Sequence, residues 1–314
     1  MSAQTYKRLL LGPQRPVRNL GDAVVKAGIP DGPIAVISAG WQEAEGDIDD
    51  VRELIGRPLV DIQLYRRAET LFSNDLDLHQ AYRARQDRLQ ELQRLYRRRL
   101  RQLAIAAREM LRADGDVALV TSEQRHAIAQ LRALDRHHQH NVEAIYREFE
   151  NRFDAASYGP IAENASEIAR TLAECQALLI TGGNVVIMMN RVRLFGISGL
   201  LRDRHLIAWS AGAMLLADRI VLFHDRTPQG GRDAEILSAG TGVLPGYVFL
   251  PDANRRLRTK DELRTGLFSR RFAPDVSVTL DSGSALHFEG GKLKSVDAAQ
   301  CIKRTGRLGK LRAA

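Results

Sequence analysis

The sequence predicts an α/β protein with a doubly wound, mostly parallel sheet that is interrupted by a long helical hairpin. Two observations support this class. Short apolar runs alternate with helical patterns in both outer parts of the chain, which is typical of parallel strands joined by crossover helices. Between those parts, strand patterns and proline are nearly absent. The predicted domains are an α/β body of residues 1–67 and 154–314 and a helical insertion of residues 68–153.

The first strand–helix unit lies near the start of the body. "GPIAVISAGW" (residues 32–41) is an apolar run that ends in small residues, as a buried parallel strand does at a functional edge. A helix that stops at Gly56 and a second strand over Pro58–Tyr65 follow. Further parallel strands are predicted in "ECQALLITGGN", "HLIAWS", "RIVLFHD" and "YVFLPDA", and an edge hairpin turns at Gly290-Gly291.

The insertion carries two series of apolar residues at helical spacing. The first runs from Leu89 to Met110, "RADGDVA" breaks it at Gly115, and the second runs from Ile128 to Phe153. Two long amphipathic helices with a short break predict an antiparallel hairpin. Its apolar stripe must pack on the other helix, on the body or on a second copy of the protein. We expect a homodimer, with the insertion as its candidate interface.

Composition limits the classes of protein that this chain can represent. The 314 residues are 44% hydrophobic with a net charge of +8, which suits a globular protein with one large or two modest domains. The basic run "YRRRLRQL" favours a solvated helix face over a nucleic-acid site. Cys175 and Cys301 are too few for a disulfide framework. The N-terminal apolar run is too short for a signal peptide and no later run could cross a bilayer, so we expect a cytoplasmic protein with no membrane partner.

The segment "LIAWSAGAMLLADRIVLFHD" suggests a catalytic serine. A strand-like run ends at Trp209, and Ser210 precedes a short helix. Such an elbow exposes a serine hydroxyl above the sheet and directs free N–H groups and the positive end of a helix dipole at the reacting centre. "AWSAGA" differs from the common G-x-S-x-G only in its first small residue. The N–H of Ala211 is then placed to donate to an oxyanion.

A second oxyanion donor is predicted at "LLITGGN". Gly182 and Gly183 end an earlier strand, and two glycines let the backbone approach a ligand closely. Because parallel strands end at one edge of a sheet, these glycines and Ser210 can converge. Each motif alone could be a tight strand–helix connection. An oxyanion donor is worth roughly 3 kcal/mol of transition-state stabilisation, so the two motifs together favour a site.

These motifs support a family resemblance. "ITGGN", then "WSAGA", then "LDSGSAL" before a strand hairpin resemble the dipeptidase E and cyanophycinase family of serine peptidases, over roughly residues 30–65 and 175–296. The resemblance implies a class I glutamine amidotransferase-like fold, which is a flavodoxin-like doubly wound sheet. It implies Ser210 as the nucleophile, Gly183 and Ala211 as the oxyanion hole, and Asn184 in the substrate cleft.

The chain departs from the family at the catalytic base. The family has its histidine at the end of the strand after the elbow region, where this chain has Asp252. His224 is an alternative base if its strand runs parallel to its neighbours, with Asp225 or Asp252 as the acid. Asp225 lies where dipeptidase E has its triad acid. Alternatively, His224 only caps its strand, since adjacent strand residues point to opposite faces.

Other polar residues are candidates for binding. The candidate substrate-binding residues are Gly182, Asn184, Asp252 and Arg255. Arg255, in "NRRLRT", could bind a carboxylate of an acidic substrate or simply lie on a surface helix turn. His137 and His140 are spaced for a metal but lack a metallopeptidase motif, so a solvated helix face is favoured. We expect no metal and no cofactor.

Two functions therefore compete. The first is a serine peptidase-like hydrolase that acts on short or acidic peptides through an acyl-enzyme on Ser210. The second is a degenerate member of the family, lacking its base at Asp252, that binds a small ligand or a partner protein and associates through the insertion. Nucleic-acid binding is a weaker alternative, and we expect no such partner.

Overall fold

The computed structural model describes residues 5–225 and 232–313. Its strands are β1 (Lys7–Leu11), β2 (Ile34–Ile37), β3 (Leu59–Asp61), β4 (Ala177–Ile180), β5 (His205–Trp209), β6 (Arg219–Leu222), β7 (Glu235–Ala239), β8 (Tyr247–Pro251), β9 (Val276–Leu280), β10 (Ala285–Glu289), β11 (Lys292–Asp297), β12 (Gln300–Ile302) and β13 (Leu308–Lys310). Its α-helices are α1 (Leu20–Lys26), α2 (Asp49–Ile55), α3 (Leu64–Asn74), α4 (Leu76–Arg112), α5 (Val117–Arg152), α6 (Gly159–Glu174), α7 (Val185–Leu194), α8 (Ala211–Leu215), α9 (Ala253–Arg256) and α10 (Glu262–Phe272).

A seven-stranded sheet forms the centre of the body. Its order is β11-β10-β1-β5-β4-β2-β3, and the strands from β1 to β3 in this order run parallel. β10 and β11 add an antiparallel edge hairpin that turns at Gly290-Gly291, as predicted. The predicted class, a mainly parallel α/β sheet with a long helical insertion, is confirmed. Because parallel strands end at one edge, the segments that follow β4 and β5 are neighbours.

The parallel strands are buried on both faces. Leu178 and Ile180 of β4 face the apolar layer formed with α3, α6 and α7, whereas Leu179 faces the layer formed with α1 and α2. This alternation follows from the two-residue period of a strand. It explains why the strand sequences read as continuous apolar runs.

Three details of the predicted strands are wrong. The run "RIVLF" does not join the central sheet: β6 pairs antiparallel with β7 in a separate two-stranded sheet. β8 and β9 are parallel to each other but belong to a third sheet with β12 and β13. The strand predicted over Pro58–Tyr65 spans only Leu59–Asp61, because Gln63 has a left-handed φ of 58° and α3 begins at Leu64.

The insertion is a hairpin of α4 and α5 that breaks around Gly115, whose φ is 149°. Asp75 caps α4 by accepting from the N–H of Leu78, and Asp116 caps α5 in the same way. The predicted boundary at residue 68 lies inside α3, and the base of the hairpin shares the core of the body. Although α4 and α5 have 37 and 36 residues, no helix in the described ranges has the length and apolar character needed to cross a bilayer.

A buried polar network attaches the hairpin to the body. Asp135 of α5 accepts from Arg271 of α10 at 2.7 and 2.6 Å and from the Tyr96 hydroxyl of α4 at 2.8 Å. The ring of His138 stacks on Tyr96 with centroids 3.9 Å apart. Burial lowers the pKa of His138 to about 4, so this imidazole is neutral at pH 7. The network explains why polar residues occupy the inner face of two otherwise amphipathic helices.

We expect Asp135→Asn to destabilise the protein by about 3 kcal/mol, because it leaves the buried Arg271 guanidinium without a counter-charge. Chemical denaturation followed by circular dichroism measures the loss. Glu148→Gln is the matched control: Glu148 is exposed, pairs with Arg88 at 2.8 Å on the hairpin surface, and should change stability little. A loss at Asp135 no larger than at Glu148 would contradict the docking role of the network.

Candidate active site

Ser210 lies on a strained bend between β5 and α8. Its backbone has φ 52° and ψ −117°, a conformation that non-glycine residues rarely adopt. The N–H of Ser210 donates to the carbonyl of Leu11 in β1 at 3.0 Å, so the bend is anchored to the central sheet. The side chain is half-buried and borders a cleft. The structure thus has the strand-to-helix elbow that the motif predicts.

The small residues after Ser210 allow α8 to pack against the end of β4. A Cβ on Gly212 would lie 2.4 Å from the carbonyl oxygen of Ile180 and 2.6 Å from that of Thr181. Ala211 and Ala213 are buried beside it. Because Ala211 is the first residue of α8, its N–H has no acceptor within the helix and remains available to a ligand.

The turn formed by Gly182 and Gly183 lies at the same edge of the sheet. A Cβ on Gly182 would approach the Cβ of Ser210 to 3.2 Å, so the turn and the elbow are in direct contact. Gly183 has a φ of 115°, and a Cβ there would lie 2.4 Å from the carbonyl oxygen of Gly40. Its N–H donates to no acceptor in the described part of the chain. The N–H groups of Gly183 and Ala211 thus belong to the turn and to the elbow that meet at Ser210.

Asn184 has a helix-capping arrangement. Its side-chain Oδ1 accepts from the N–H groups of Val186 and Ile187 at the start of α7, and its own N–H donates to Gly40 at 2.8 Å. The side chain is absent from the lining of the Ser210 cleft. The structure therefore gives this side chain a capping role in place of the expected substrate contact.

The cleft around Ser210 has a volume of about 410 Å³, within the range of small-molecule sites. Trp41 and Trp209 form an apolar wall with ring centroids 6.4 Å apart. The residues that line the cleft and bear on its chemistry are Arg15, Arg18, Trp41, Asp47, Asp50, Gly182, Gly183, Trp209 and Ser210. The cleft therefore combines an apolar wall, backbone donors and side chains of both charges.

The charged groups of the cleft are weakly paired. Arg15 and Arg18 share the carboxylate of Asp50 at 3.7 and 3.6 Å, and the side chains are 81%, 47% and 63% exposed, respectively. Exposed pairs at such distances contribute little to stability. A ligand carboxylate could replace Asp50 at either guanidinium without a large loss.

No histidine lines this cleft. All eight histidines of the chain lie in the described ranges. His224 is exposed, and its pKa is lowered by partial burial and by the nearby Arg256. The condition for its role, a strand that runs parallel to its neighbours, is not met, because β6 pairs antiparallel with β7 outside the central sheet. The arrangement needed to bring His224 to Ser210 is therefore not present.

Asp225 also forms its contacts outside the Ser210 cleft. Its buried carboxylate contacts the guanidinium of Arg264 at 2.6 Å and accepts from the N–H of Arg258 at 3.1 Å. Its own N–H donates to the carbonyl of Arg256. These contacts attach the end of β6 to the segments around α9 and α10. They give Asp225 a structural partner in place of the expected imidazole.

Asp252 and Arg255 lie outside the cleft lining. Asp252 follows β8 with a left-handed φ of 58° and pairs with Arg255 and Arg256 at 3.9 and 3.8 Å. Burial raises the pKa of the nearby Asp281, and the carboxylate of Asp252 raises it further. The Arg255 side chain is 87% exposed, so it lies on the surface helix turn that the sequence offered as the alternative.

Arg15, Arg18 and Asp50 were missed by the sequence interpretation. They lie in the loop after β1 and in α2, and neither segment carries a recognisable motif. The signal that could have found Trp41 was present, since "SAGW" ends a buried strand at the edge where Ser210 lies. Applying the same edge rule to β1 would have included the arginines that follow it.

Comparison with known proteins identifies a family whose model matches this chain. The model of peptidase family S51 matches residues 133–296, just over half of the chain. A crystal structure of a peptidase from an acI-B1 Actinobacterium is similar at 12% sequence identity with a TM-score of 0.46, covering 95% of this chain and 91% of that one. No curated protein matches the sequence.

The strain at Ser210 predicts an unusual order of stabilities. We expect Ser210→Gly to be more stable than Ser210→Ala by about 1 kcal/mol, because glycine adopts a positive φ without the steric cost that a Cβ imposes. Urea denaturation of both variants measures the difference. The control is Ser166, an exposed residue inside α6, where alanine should be more stable than glycine. The same order at both positions would contradict strain at Ser210.

Proposed function

The chain belongs to peptidase family S51, and on that premise we propose that it is a serine peptidase-like hydrolase that cleaves short or acidic peptides through an acyl-enzyme on Ser210. The observation that carries the proposal is the backbone of Ser210, with φ 52° and ψ −117°, beside the Gly182–Gly183 turn. Strain of this kind costs on the order of 1–3 kcal/mol and persists mainly at functional sites.

The proposed reaction has two steps. The Ser210 oxygen attacks the peptide carbonyl, and the N–H groups of Gly183 and Ala211 stabilise the oxyanion of the tetrahedral intermediate. The C–N bond then breaks, the amine leaves with the proton that the Ser210 hydroxyl has lost, and an ester on Ser210 remains. Water attacks this ester in the second step and releases the acid and the free hydroxyl.

The proposed acylation proceeds without a histidine base. The carboxylates of Asp47 and Asp50 line the cleft, and none of the eight imidazoles does. A positioned base contributes typically about 10²–10⁴-fold to such a step. We therefore expect acylation to be slower by that factor than in an enzyme with a complete triad. A plot of the acylation rate against pH should show no inflection near the usual histidine pKa of about 6.5.

The cleft arginines support acidic peptides as substrates. Arg15 and Arg18 lie in the same cleft as Ser210 and are held by only one shared carboxylate. A guanidinium binds a carboxylate through two parallel hydrogen bonds, a geometry that an amide side chain does not reproduce. We therefore assign these two arginines, and not Arg255, to substrate carboxylates.

A fluorophosphonate probe tests the nucleophile. We expect slow covalent labelling of the wild type, none of Ser210→Ala, and unchanged labelling of His224→Gln, because His224 lies outside the cleft. Intact-protein mass spectrometry between pH 5 and pH 9 gives the rates. Equal labelling of wild type and Ser210→Ala would reject Ser210 as the nucleophile. A loss of labelling in His224→Gln would reject the claim that Ser210 reacts without a histidine base.

Substrate preference tests the arginines. Arg18→Gln should lower kcat/KM for an aspartyl peptide by about 10- to 150-fold, because a charge-assisted hydrogen bond is worth about 1.5–3 kcal/mol. The matched asparaginyl peptide should be affected little. Arg255→Gln is the control, since its exposed side chain lies outside the cleft lining. An equal loss with both peptides, or a larger loss in Arg255→Gln, would contradict the assignment.

A second candidate is a non-catalytic member that binds peptides in the same cleft. The absence of histidine from the cleft lining favours it. In that case the wild type stays unlabelled by the probe and binds aspartyl peptides as tightly as Ser210→Ala does. Self-association through the insertion remains a prediction, and the exposed Val117 and Leu119 at the hairpin tip, 80% and 70% accessible, are the residues to test.

A further inference from the structure

Five arginines converge on a second cleft, between the insertion and the body. The cleft has a volume of about 460 Å³. Arg97, Arg101 and Arg108 project into it from one side of α4, Arg264 from α10, and Arg232 from the segment before β7. Arg97 and Arg101 come from the basic run that the sequence interpretation assigned to a solvated helix face.

The charges of this cleft do not balance. Three of the arginines have a carboxylate partner: Arg97 contacts Glu235 at 2.6 Å, Arg108 contacts Asp233 at 2.5 Å, and Arg264 contacts Asp225 at 2.6 Å.

Arg101 and Arg232 have no such partner in the described ranges. Residues 226–231 contain no acidic side chain that could supply one. The cleft therefore carries an excess of two positive charges.

We propose that this cleft binds a small organic phosphate. A phosphate monoester carries about −1.5 to −2 charges at pH 7, which matches the two uncompensated guanidinium groups. Guanidinium groups bind phosphate oxygens through two parallel hydrogen bonds. Leu100 and Ile105 line the cleft between the arginines of α4 and provide an apolar surface for the organic part. The volume lies within the range of small-ligand sites.

This site is separate from the one around Ser210. None of its lining residues contributes to the Ser210 cleft. A ligand here would contact α4, α10 and the segment before β7 together, and so hold the insertion against the body. The inference does not depend on the proposed hydrolase activity, and its test measures binding alone.

Isothermal titration calorimetry of the full-length protein with phenyl phosphate tests the site. We expect saturable one-to-one binding that weakens at least tenfold in Arg101→Gln and in Arg232→Gln, with a matching loss of the ligand-induced rise in Tm. Both side chains are exposed, so the variants should fold. Arg98→Gln is the matched control: it removes an exposed arginine of the same helix that does not line the cleft and should bind as the wild type does.

Parallel titrations define the ligand. Phenyl phosphate should bind more tightly than inorganic phosphate, because only the ester has an apolar part. It should also bind more tightly than benzoate, whose single charge neutralises only one of the two arginines. The proposal is overturned if phenyl phosphate does not bind, if benzoate binds as well, or if Arg98→Gln weakens binding equally. The proposal is also overturned if the protein binds a single-stranded oligonucleotide more tightly than phenyl phosphate and Arg98→Gln weakens that binding. That result would indicate a nucleic-acid surface.

Discussion

The bend at Ser210 is the constraint on which the rest of the Ser210 site depends. A side chain can leave the end of a buried strand and face a cleft only if the backbone reverses within one residue, and here that reversal requires a positive φ. The hydrogen bond from Ser210 to Leu11 keeps the bend in register with β1, and the absence of a side chain at Gly212 lets α8 begin against β4. These contacts use main-chain atoms, so they depend on the path of the backbone and on the small side chains around Ser210.

The site therefore has two halves with different physical origins. The proposed oxyanion donors are backbone N–H groups at Gly183 and Ala211, and such donors are retained wherever the sheet and its glycines are retained. The base and its acid are side chains, which can be lost by single substitutions without disturbing the sheet. That difference explains how a chain can keep a complete elbow in a cleft that no imidazole lines.

The same difference decides what the sequence could predict. Ser210 and the Gly182–Gly183 turn were found because the close packing around them requires glycine and alanine at fixed positions. The antiparallel pairing of β6 with β7 was not found, since a short apolar run specifies a strand but not its partner or direction. The cleft residues Arg15 and Asp50 were missed for a related reason: their position depends on loops whose paths are set by tertiary packing.

The two acidic residues at the expected triad positions are held by different partners. Asp225 is buried and ion-paired with Arg264, and breaking one side of such a pair typically costs several kcal/mol. Asp252 adopts a left-handed conformation that aspartate tolerates better than most residues do, and it pairs only weakly with Arg255 and Arg256. A histidine introduced at 252 would lie outside the lining of the Ser210 cleft, and Asp225 is already paired with Arg264. A change at position 252 alone therefore does not restore the proton relay that a serine nucleophile normally requires.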